Sequence, residues 1–114
     1  MSWKGIKKHT NIENIKAWCE EMDIRNYTIN SQGEIDVDGD VDLDNKDFKE
    51  LPFKFGKVNG YFDIRYCGYL TSLKNCPNIV TGNFCVFGCK VNFTKAYIRS
   101  LCKVSQYVFV NGYF

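Results

Sequence analysis

The 114-residue chain is poor in the groups most enzyme chemistry needs: it has a single histidine, His9, and beyond residue 50 a single acid, Asp63. His9 sits among Lys4, Lys7 and Lys8 with no acid or nucleophile tied to it by sequence, so a Cys–His catalytic pair has no support. No apolar run approaches the roughly 20 residues that a membrane helix requires. The opening "MSWKGIKKHT" carries lysines without an apolar stretch behind them, unlike a secretory signal. These absences predict an intracellular protein with no membrane contact, no cofactor and no enzymatic activity.

What is present argues for a folded chain. Hydrophobic residues make up 45% and aromatics 16%, well above a disordered composition. The length predicts one domain, residues 1–114, with a modest core. The six cysteines are expected as free thiols in a reducing compartment. Net charge is only +2, but Glu34, Asp36, Asp38, Asp40, Asp42, Asp44, Asp47 and Glu50 crowd one stretch. Lys54, Lys57, Arg65, Lys74, Lys90, Lys95, Arg99 and Lys103 follow it, predicting a molecule acidic near its first coils and basic after them.

The stretches "VNGYFDI" (58–64) and "VTGNFCV" (80–86) repeat one pattern. Aligned on Val37, Val58, Val80 and Val104, glycine or Gln106 follows two residues later. Val41, Phe62, Phe84 and Val108 come next, then Leu43, Ile64, Val86 and Val110. Each copy reads as a period-2 strand with one apolar face. The spacings between the valines, 21, 22 and 24 residues, fall in the range of leucine-rich repeats. Leu51, Leu73 and Tyr97, seven residues before the valine, are expected to close each return limb and point into the core. Cys67 and Cys89, five residues after the repeat phenylalanine, occupy the place of the buried Asn or Cys of such repeats and should stack.

"NYTINSQGEIDVDGDVDL" (26–43), "LPFKFGKVNGYF" (51–62) and "LTSLKNCPNIVTGNF" (70–84) resemble leucine-rich-repeat-like proteins encoded by tailed bacteriophages. The resemblance covers residues 12–90. It implies a mainly β (α+β) fold, a short parallel β-solenoid of about four rungs with an N-terminal capping helix, acting in the cytoplasm of an infected bacterium. After Cys89 the pattern decays, so the last coil of the repeat region 37–114 is degenerate.

Ahead of the repeats, residues 1–9 read as a leader and 10–24 as the capping helix. Thr10 and Glu13 stand in capping-box spacing, and Ile12, Ile15, Trp18, Cys19 and Met22 share a face. Residues 26–37 read as a hairpin around "NSQG". After Val110 the chain shows no segment to cover the last coil, which predicts a homodimer through that C-terminal edge, a partner there, or residues 90–103 folding back as a cap.

"EIDVDGDVDLDN" invites a calcium-loop reading, but Ile35, Val37, Val41 and Leu43 alternate with the acids as strand residues do, and Asn45 stands where a bidentate acid is wanted. Cys85 is expected to face outward on its strand and Cys89 inward toward the core, so the two are not expected to share a zinc ion. No metal site is expected. The outward strand positions form the candidate binding face: Asp40 and Asp42, then Tyr61, Asp63 and Arg65, then Phe87 beside Asn83 and Cys85, then Tyr107 and Phe109 beside Asn111. Exposed aromatics are enriched where proteins bind proteins, so a protein is the expected partner; the phage resemblance implies that it is a host protein, such as a defence factor, which the chain inhibits or sequesters. A nucleic acid on the basic half is the alternative, opposed by the acidic run; a small thiol or metal enzyme is the third.

Overall fold

The computed structural model describes residues 11–111. The leader, with His9, the Thr10 of the capping-box spacing and the terminal residues 112–114 lie outside the described residues. Helix α1 (Asn11–Glu21) buries Asn14, Ile15, Trp18 and Cys19, one stripe at helical spacing. Ile12 is a correction: it is 54% exposed, because the packed stripe is centred between Ile15 and Trp18 and leaves the first turn to one side. The expected hairpin is present as β1 (Tyr27–Ile29) paired antiparallel with β2 (Ile35–Val37).

From β2 onward every pairing between coils is parallel. β2, β4 (Phe55–Val58), β6 (Ile79–Val80) and β8 (Lys103–Val104) follow β1 in a five-stranded first sheet. β3 (Val41–Asp42), β5 (Phe62–Asp63), β7 (Phe84–Cys85) and β9 (Val108–Phe109) form a four-stranded second sheet. The described residues are therefore mainly β with two helices, wound as a β-solenoid of about three turns. The expected vertical neighbours are met: Val58 pairs with Val80 and Phe62 with Phe84. The core valines, phenylalanines and aliphatic residues of the repeat are all buried. Trp18 on α1 meets Phe55 at 5.9 Å, Phe55 meets Phe62 at 5.4 Å and Phe62 meets Phe84 at 5.3 Å, a continuous line of rings from cap to third coil.

The first three coils turn from the first sheet to the second at elbows holding Gly39, Gly60 and Gly82, and the last at Gln106. The elbows touch through backbone: Gly82 N–H donates to Gly60 O at 2.9 Å, and a Cβ on Gly82 would lie 2.8 Å from Gly60 C and O. Only glycine permits that approach. The thiols close the opposite corner as expected, Cys67 Sγ donating to Leu43 O at 3.3 Å and Cys89 Sγ to Ile64 O at 3.2 Å.

The return limbs follow expectation at Leu51 and Leu73, both buried, and depart from it in the last coil. There the limb is helix α2 (Lys95–Leu101), started by Thr94, whose hydroxyl accepts from Tyr97 N–H at 3.1 Å. Ile98 is the residue that enters the core; Tyr97 is 46% exposed, a correction. A helix rotates neighbouring residues by 100°, so only one of the pair can face the sheets. Of the alternatives for the last coil, the described residues show the fold-back. Residues within 90–103 do fold back: α2 packs against β8 and β9, and Val104, Val108 and Val110 are buried. Lys103 and Ser105 N–H groups donate to β6 and its flank, so Val104 and Gln106 carbonyls face away from it, where Arg99 meets both at 2.9 Å.

Candidate interaction face

The second sheet presents its outward side chains in rows set by register. Asp42 pairs with Asp63, Asp63 with Cys85, and Cys85 with Phe109, giving one column along the solenoid axis. Beside it on the elbow side run Asp40, Tyr61, Asn83 and Tyr107; on the exit side run Asp44, Arg65, Phe87 and Asn111. The sequence-derived site residues are thus brought onto one face.

The acidic run performs structural work that sequence reading did not foresee. Asp36 Oδ1 accepts from Lys57 N–H at 2.9 Å, where β4 carries one residue more than β2. Asp40 Oδ1 accepts from Tyr61 N–H at 2.9 Å, and Asp42 Oδ1 from Asp44 N–H at 3.2 Å. In the third coil Asn83 Oδ1 serves Tyr107 N–H in the same way at 3.0 Å. Among the described residues no group of three or more His, Cys, Asp or Glu side chains converges as a metal site. Asp40 and Asp42 remain exposed at the surface. A side-chain hydrogen bond with Asp44 is the main reason that the Asp42 carboxyl lies above its ordinary range and Asp44 below it.

Asp63 is a correction to the expected free surface acid. It is only 5% exposed, its Oδ1 accepting from Arg65 N–H and Nε, and its Oδ2 lying 2.8 Å from Arg65 Nη2. A carboxylate enclosed between neighbouring strands needs a cation, and the residue two positions on supplies it. Arg65 in turn lies over the Phe87 ring at 5.4 Å. The charge of this face therefore ends with the first coil.

The aromatic end is open to solvent. Tyr107 is 67% exposed and packs beside Phe109 at 6.2 Å, while Tyr61 is 39% exposed. Burial and the nearby Asp40, Asp42 and Asp63 raise the Tyr61 phenol, keeping it a protonated donor. Two further rings escaped sequence reading. Tyr66, half-exposed, meets Phe87 edge-on at 5.5 Å, and Tyr69 is 64% exposed on the return limb. The sequence signal for Tyr66 is its column: Asn45, Tyr66 and Gly88 follow the second-sheet strands at equivalent places, and all three have positive φ.

Cys85 is half-buried on this face and its thiol is raised, chiefly by burial; the other five cysteines are buried. A cavity of about 490 Å³ at the last coil is lined by Asn92, Phe93, Thr94, Lys95, Val110 and Asn111, with no carboxylate, thiol or imidazole among these residues. Comparison with protein-family models, with curated proteins and with solved structures returns no match for this chain.

Proposed function

We propose that this chain is a non-enzymatic protein-binding module: a four-rung, leucine-rich-repeat-like bacteriophage protein that binds and inhibits or sequesters a host protein through its second sheet. The observation that carries the reading is the group of rings on this face, the exposed Tyr61, Tyr66 and Tyr107 with the half-buried Phe87 and Phe109, mounted on a sheet where Asp40 and Asn83 of the preceding coil accept the Tyr61 and Tyr107 N–H groups. Rings held in fixed positions bury much area on contact for little lost freedom, which is what binding hot spots exploit. The Arg65–Asp63 pair, desolvated on the Asp63 side, serves the rings as a rigid support rather than as a free charge.

The test is affinity capture from lysate of the infected host, wild type beside a Tyr61→Ala/Tyr107→Ala variant of equal stability, with bound proteins quantified by mass spectrometry. A protein held by the wild type and lost with the variant is the expected result. Equal retention by both rejects the face. If the captured material is nucleic acid, with affinity falling steeply as salt rises, the basic half is the site instead.

A further inference from the structure

We infer that the occupant of the second sheet's outer face is a protein segment carrying Lys or Arg at one end and apolar side chains at the other, laid along the solenoid axis with its cationic end over the first coil. This names the partner class for the face proposed above and rests on that reading.

The inference begins with what the fold requires at Asp40. Its structural task is to accept the Tyr61 N–H, and Asn83 performs the same task for Tyr107 two coils on without a charge. The negative charge at Asp40 is therefore surplus to the cap. Asp42, exposed in the next column, adds a second charge, while Asp63 beneath it is already matched by Arg65. Among the described residues the face thus carries negative charge without an ion-pair partner at its first coil and none beyond, and at its far end Tyr107 and Phe109 present ring surface. Three ladder steps of about 4.8 Å separate the two ends by about 14 Å. A helix covers that distance in about nine residues. An anionic partner would be repelled at the acidic end, and a uniformly charged one would leave the rings unmatched.

The experiment uses two synthetic 18-residue helix-forming peptides with Leu and Phe in the C-terminal third, one with Lys and the other with Glu in the N-terminal third, titrated against the full chain by fluorescence anisotropy. The Lys peptide is expected to bind at least about tenfold more tightly than the Glu peptide, with the preference shrinking as salt rises. Asp40→Asn/Asp42→Asn, which keeps the capping oxygens, is expected to abolish most of that preference, and Tyr107→Ala to weaken the Lys peptide with the charge preference retained. Equal binding of the two peptides, with Tyr107→Ala weakening both, overturns the charge assignment and leaves the aromatic face standing. Failure of the Lys peptide to bind, or binding indifferent to all three substitutions, overturns the inference; indifference to Tyr107→Ala also removes the reading on which it rests. A dimer of the protein alone, dispersed by salt and by Asp40→Asn/Asp42→Asn in light scattering, would give the face to a second copy and overturn the inference too.

Discussion

Left-handed backbone recurs at Asn45, Tyr66 and Gly88, with φ of 58°, 57° and 80°. Asparagine and glycine suit that geometry; a tyrosine there is strained by about 1 kcal/mol. The ring it delivers lies across Gly88, where a Cβ would stand 2.6 Å from Tyr66 Cε1. Tyr66→Asn relieves strain of the same order as the ring contact it removes, so the denaturant midpoint should place it within about 1 kcal/mol of wild type, while partner binding falls. A larger destabilisation would make the ring a structural part instead. Gly88→Ala should cost about 1–2 kcal/mol, part of it recovered when Tyr66→Ala is added; no recovery in the double mutant would mean the two residues do not meet. Thiols give a third check. Burial holds Cys19 and Cys102 at about 12 and Cys67 at about 11, so in native protein only Cys85 should react with a disulfide reagent at pH 8, its rate still climbing above pH 9. Rapid titration of two or more thiols before unfolding would contradict the burial described.

At the scale of the element, strand and elbow were legible in the sequence, and so were the return limbs at Leu51 and Leu73 but not in the last coil. The valine of each coil, the phenylalanine or valine after it and the glycine of the first three elbows recur because a buried parallel ladder admits one side chain per level, and elbows in close backbone contact admit none. Gly82→Ala should therefore lower stability by more than about 2 kcal/mol, since the obstructing atoms are backbone and cannot turn aside. Wild-type unfolding behaviour for this variant would contradict the stacked elbows. The return limbs repeat only an inward-facing apolar residue, with no backbone ladder to fix its phase. Twenty-four residues in place of 22 let the last limb become α2, and the inward position moved from Tyr97 to Ile98. Ile12 was misplaced for a related reason, as apolar spacing on a short helix cannot say where the packed stripe ends. The candidate face was legible as a set of outward positions. The state of its members was not: parity put Asp63 outside the core, but only the neighbouring Arg65 explains why it is buried and matched.

Across the whole molecule, the ring line from Trp18 through Phe55 and Phe62 to Phe84 ties the cap to the coils. Trp18→Ala should cost about 3–5 kcal/mol, read as a single cooperative loss by both near- and far-ultraviolet circular dichroism. Separate transitions for helix and sheets would show the cap to be an independent unit. On the proposed reading, the uneven charge should make partner binding respond to acid as well as salt. Asp42 takes up its proton before an ordinary aspartate of pKa 3.8 would, so affinity for a cationic segment should begin to fall above that range; a profile flat down to it would remove Asp42 from the contact. Finally, coils whose elbows already touch cannot be squeezed closer along that margin. Any flexing must open the far side against a packed interior, so the sheet is a stiff ruler with fixed graduations, and a segment laid along it as proposed would have to supply the matching length.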